Sequence, residues 1–166
     1  MIPDSAAAAI SCAGACLIEA LSPERRVAVE QLVRAEGPAR AVANLSSDGI
    51  GRGTRWDMLM IAIESGDSGW LRVAAALRPG ADARTADALL GALSIALRRN
   101  APGVLALTGP TIPIGGICHH RATEGRPIDG KVFEVHTRNA LVSVTDPALT
   151  AVRDKCLAVL EAHSED

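Results

Sequence analysis

Aromatic residues are almost missing from this chain of 166 residues: two Trp, one Phe and no Tyr, 2% in all. Stacking platforms for unpaired bases and cages for cationic ligands need more rings than that. An excess of positive charge is missing as well. With 17 Lys+Arg against 19 Asp+Glu the formal net charge is −2, so the footprint of a nucleic-acid-binding protein, or of one drawn to an anionic membrane, is absent. The most apolar stretch, Ser5 to Leu21, is too short and too weakly apolar for a transmembrane helix. There is no C-x-x-C and no H-E-x-x-H. No cofactor is expected.

What is present is a helical, globular composition. The chain has 30 Ala, 48% apolar and 22% charged residues, which biases it to helix and away from disorder. Its length suits one domain, which should bury close to 70% of the unfolded surface, so neither metal nor disulfide is obligatory.

Residues 1–21 stand apart from a single helical domain at 22–166. Ser5 to Leu21 is Ala-rich, and Ala13-Gly14-Ala15 satisfies the small-x-small rule for cleavage before Cys16. Cys12 or Cys16 is alternatively a loose match to a lipidated cysteine. Against a signal stand Asp4, Glu19 and the lack of a preceding Lys or Arg. Two readings are open: a degenerate export signal, which places the protein in the periplasm or outside the cell, and the first helix of a cytoplasmic protein. If Cys12 and Cys16 leave with a signal, Cys118 and Cys156 remain, either as one disulfide or as two buried thiols.

Helix signals run along the rest of the chain. Ser22-Pro23-Glu24 is an N-cap, a Pro at the first helical position and an acid in the first turn, and Gly37-Pro38 closes that helix. A short helix follows over Ala39 to Leu45. Ser46 to Thr54 is a loop by composition. Trp56 to Ser65 and Trp70 to Arg78 share the pattern W-x-x-[LV]-x-x-A-[IL]-x-x-G at an offset of 14, which predicts an antiparallel helix pair. Asp82 caps a helix whose stripe is Ala86, Leu89, Leu90, Leu93 and Leu97. Asn100-Ala-Pro-Gly-Val-Leu starts a short helix or turn, and Thr108 to Gly116 is a Pro/Gly-rich loop, with the irregular stretch continuing over Glu124 to Gly130. Val132 to Val144 reads as helix, with a strand as the competing reading. Asp146-Pro147 opens the last helix, whose inward face carries Leu149, Val152, Cys156, Val159 and Leu160. The expected fold is all-α: one bundle of about six or seven helices, with the Pro/Gly-rich loop before the last two.

Several of these positions look familiar together. Trp56-Asp57, Ser65-Gly66-Asp67, Trp70-Leu71, Pro79-Gly80, Asp82-Ala83, Asn100, Pro102, Val104-Leu105, Cys118, Asp146-Pro147 and Cys156-Leu157 make residues 40–162 similar to a group of small bacterial proteins. That group is mostly exported and helical, and carries no assigned activity. The resemblance implies an exported helical domain with a Cys118–Cys156 bridge, and it implies no catalytic residues. The chain departs from the group's pattern at 119–124, where His119-His120-Arg121 replaces a more apolar, Pro-containing segment.

Four sets of residues bear on chemistry. Cys118, His119, His120 and His136 are the candidates for a Cys/His metal site, although three adjacent residues do not all point at one ion. Cys118 with His120 or His136 as base is the candidate thiol pair. Gly49-Ile50-Gly51-Arg52-Gly53 lacks a following Lys and a preceding strand, so it reads as a connector rather than a phosphate loop. Trp56 and Trp70 suit core packing better than a recognition groove, and Arg25-Arg26 and Arg98-Arg99 suit solvated helix faces. The expected function is a non-enzymatic module that binds another protein, of interaction or of inhibitor or immunity type. A metal or thiol enzyme built on 118–136 and a cytosolic helical adaptor are the alternatives.

Overall fold

The computed structural model describes residues 21–119 and 129–163. The readings of residues 1–20 as export signal or first helix, and that of His120 as a ligand or base, lie outside the described residues. The described chain is all-α, with no strand. Nine helices follow in order: α1 Pro23–Glu36, α2 Pro38–Leu45, α3 Arg55–Glu64, α4 Ser68–Leu77, α5 Ala83–Leu97, α6 Ala101–Leu105, α7 Ile114–Ile117, α8 Gly130–Val142 and α9 Thr150–Ala162. Short 3-10 turns at Arg78–Gly80 and Pro147–Leu149 follow α4 and precede α9. The count exceeds the expected six or seven through short pieces such as α6 and α7. The latter is a single turn at the end of the expected loop, and Ile117, just past that loop, is buried. The segment 132–144 is helical as far as Val142.

Caps place the helices where polar side chains can satisfy their open amides. Ser22 Oγ accepts from Arg25 N at 3.2 Å to start α1. Asn100 does two jobs. Its Oδ1 accepts from Gly103 N at 3.0 Å to cap α6, and its Nδ2 donates to Gly66 O at 2.8 Å. That second bond ties the α3–α4 turn to the end of α5.

The two glycines of the repeated 14-residue pattern serve different ends. Gly66 has φ +75°, the left-handed conformation that stops a helix, and it lies tight against Arg99 and Asn100. Gly80 has no positive φ. A Cβ there would collide with the Pro38–Ala39 backbone, so this glycine permits close packing of the post-α4 turn on α2.

The centre of the molecule is α5. The sequence marks a single apolar stripe on this helix, yet every residue from Leu89 to Leu97 is buried. Its small residues, Gly91, Ala92, Ser94 and Ala96, let neighbours approach on the sides the stripe leaves out. Helix α3 packs most extensively on α5, and α4, α6 and α7 also touch it. Helices α3 and α4 follow one another across the link 65–67 and pack together. Trp56 and Trp70 are 0% and 2% exposed, so both are core side chains. Helices α8 and α9 pack on each other, and α9 reaches the core through α7.

Asp82 caps α5, accepting from Thr85 N at 2.9 Å and Thr85 Oγ1 at 2.7 Å. These bonds, the backbone one foremost, hold its carboxyl below the ordinary Asp value. A depressed folded-state pKa gives a stabilising contribution that is complete above the unfolded value, about 3.9, and is lost as pH falls through the folded value beneath it. Asp82→Asn keeps a capping oxygen but cannot titrate. The wild type should therefore lose urea resistance relative to Asp82→Asn between about pH 6 and about pH 2. A constant difference across that range would remove Asp82 from the acid response.

Candidate functional site

Two places gather the polar side chains singled out by the sequence. The first is the corner between α7 and α9. Cys118 caps the single turn of α7 and Cys156 sits in the middle of α9. Both are 0% exposed, and they are joined as a disulfide with their Cα atoms 5.3 Å apart. The α9 periodicity is what aims Cys156 inward. Next to the bridge, Ser94 Oγ on α5 donates to His119 O at 3.1 Å, which pins the turn after α7 to the central helix. The His119 ring stacks on His163 at the end of α9, with centroids 4.9 Å apart and planes 15° apart. His163 Nδ1 lies 2.8 Å from Val159 O, so that nitrogen carries the donated proton.

This arrangement bears directly on the Cys/His set. The Cys118 sulfur is held by Cys156, so it is neither a thiolate ligand nor a nucleophile in this structure. His136 stands elsewhere, in a groove with Arg98 and Arg99. Among the described residues no three His, Cys, Asp or Glu side chains come together as a metal site.

The Gly49–Gly53 stretch is a pinned connector. Arg55, at the start of α3, donates from Nη2 to Asn44 O at 2.9 Å, and its backbone N–H donates to Asp48 Oδ2 at 3.1 Å. Gly53 N donates to Asp57 Oδ2 at 2.9 Å, so that amide is already satisfied within the loop.

The second place is a groove of about 490 Å³ lined by Arg98, Arg99, His136, Asn139, Ala140 and Ser143. The two arginines follow the last turn of α5. The other four recur at helical spacing along one side of α8. Arg98 is not on a solvated helix face, the default reading of such a pair. Its guanidinium carbon lies 5.6 Å from the centre of the buried Phe133 ring, a cation–π contact. Burial, then the adjacent Arg99 charge, push its pKa below the ordinary value, and Glu64 acts against them.

No family model matches this chain, and no curated protein or solved structure matches it.

Sequence reasoning missed the groove. The available signal was the set His136, Asn139, Ala140 and Ser143, which falls on one side of a helix once 130–142 is taken as helical. What no sequence pattern supplied is that the end of α5 faces that side.

Proposed function

We propose that this chain is an exported helical domain that binds another protein and does not catalyse a reaction. The surface of α8 carries the binding reading. Val132, Val135 and Val142 are 48%, 55% and 58% exposed and fall on one side of the helix by its periodicity. Apolar side chains left exposed along one side of a helix are surface that a partner would cover. The Cys118–Cys156 disulfide supports an oxidising compartment. No described helix is long and apolar enough to cross a membrane. The non-catalytic part is supported by Cys118, which the thiol version of the alternative needs and the Cys/His metal set includes, and which holds no free thiol.

The test is photo-crosslinking in the cell of origin, with a benzophenone amino acid at Val135 and, as control, at the exposed Arg40 of α2. One discrete adduct at Val135 that is absent at Arg40, in protein recovered oxidised from the envelope or medium, is the expected result. Equal labelling at both positions would overturn the binding surface. Cytosolic protein with reduced cysteines would overturn export and leave the adaptor reading in its place.

A further inference from the structure

We propose that the groove between the end of α5 and α8 is a carboxylate-binding site, and that its occupant is an acidic, Leu- or Val-bearing peptide segment of a partner protein. This deepens the protein-binding reading above and rests on it.

The groove is selective by charge. Four of its six lining side chains, those of Arg98, Arg99, His136 and Asn139, offer N–H donors, and none is acidic; the Ser143 hydroxyl donates to Asn139 O at 2.8 Å. In a chain of net charge −2 this is a local concentration of positive charge. Four arginines elsewhere are matched by acids. Arg26 pairs with Asp67 at 3.3 Å, and Arg138 joins Glu134 at 3.1 Å and Glu161 at 2.9 Å. Arg55 and Arg153 have Asp48 and Asp154. Arg34, Arg72 and Arg78 make no ion pair with any described residue, and neither do Arg98, Arg99 and His136, but these last three side chains share one groove; Arg99 also borders a second groove that holds Asp57 and Glu64. An incoming carboxylate would complete the pairing that the fold leaves open at these three side chains.

The groove is also prepared. Arg98 rests on Phe133, and its Nε is closed off from solvent with no acceptor among the described residues. A guanidinium held in this way loses less freedom on binding than one free in solvent. The pairing of Arg138 with Glu134 and Glu161 keeps the acids of α8 and α9 engaged with one another.

The choice of a peptide over a free small anion comes from α8 itself. His136, Asn139 and Ser143 line the groove on one side of the helix, with Val132 exposed on that same face one turn before His136, and Val135 and Val142 are exposed on the adjoining side. A small anion would use the donors alone. A segment with a carboxylate beside an aliphatic side chain would use both strips, burying apolar surface where the helix now exposes it.

The experiment is a titration of the ¹⁵N-labelled, disulfide-intact full chain followed by amide chemical shifts. The probes are a short Glu/Leu peptide, its Gln/Leu counterpart and inorganic phosphate. The Glu/Leu peptide should give saturable shifts at Asn139, Ser143 and Val135. Affinity should fall by about tenfold or more with the Gln/Leu peptide and in Arg99→Glu, whose folding is confirmed from its amide spectrum. No saturable shift with the Glu/Leu peptide would overturn the proposal. Phosphate saturating the same amides as tightly would also overturn it, in favour of a small-anion site. A Val135 cross-link that persists undiminished in Arg99→Glu would mean that the protein-binding reading stands while this groove is not its docking site.

Discussion

Replacing Cys118 and Cys156 together by alanine should lower the free energy of unfolding by about 4 kcal/mol, the chain-entropy value for a cross-link between residues 38 apart. The bridge holds much of the C-terminal section in place. Helix α8 buries only Phe133, Thr137 and Leu141, and α9 only Cys156 and Leu160. These two helices lean on each other; α8 meets the end of α5 where Arg98 lies on Phe133, and α9 packs on the four-residue turn α7. Cys118 follows that turn directly, so the disulfide is a covalent continuation of a narrow contact. The loss should be uneven as a result. In hydrogen exchange, amides of α8 and α9 should lose protection first, while those of α5, enclosed from Leu89 to Leu97, keep theirs. Urea unfolding of the double variant, alongside the wild type with and without a reducing agent, gives the magnitude. An unchanged midpoint, or a protection loss spread evenly over α5 and α9, would show that the bridge does not carry the C-terminal helices.

Helix boundaries were legible because their signals are local. Ser22, Asp82 and Asn100 are short polar side chains whose oxygen reaches an amide two or three residues on, and each caps the helix that the sequence assigns to it. The inward face of α9 was legible for a related reason: one stripe on one helix meets one neighbour. Features set by several neighbours were not legible. Nothing local distinguishes α5, buried on all sides, from a surface helix with a good stripe, since small residues read equally well as solvent-facing or as closely packed. Gly80 looked like a helix stop because Gly66 is one, yet its role depends on Pro38, which only the fold brings near. The groove has the same origin. Arg98 and His136 are ordinary residues until packing on Phe133 makes them neighbours.

Trp56→Ala should cost about 3–5 kcal/mol, the usual range for emptying a fully enclosed aromatic site. Trp56 is 0% exposed on α3, the helix that packs most extensively on α5, so the vacated space would lie between two elements that cannot both close on it. Trp56→Phe is the more informative change. The indole Nε1 is shut off from solvent and has no acceptor among the described residues. A dehydrated donor without a partner costs about 1–3 kcal/mol, so its removal offsets part of the packing lost with the smaller ring. Trp70 holds the equivalent place in the 14-residue pattern, but its indole nitrogen is not shut off in this way, so phenylalanine there removes volume with no such compensation. Three urea curves decide the matter. Phenylalanine at 56 should cost well under half of what alanine costs there, and less than phenylalanine at 70. If Trp56→Phe costs as much as Trp56→Ala, the indole N–H is hydrogen-bonded in solution, and the α3–α5 contact owes its strength to that bond as well as to the buried ring.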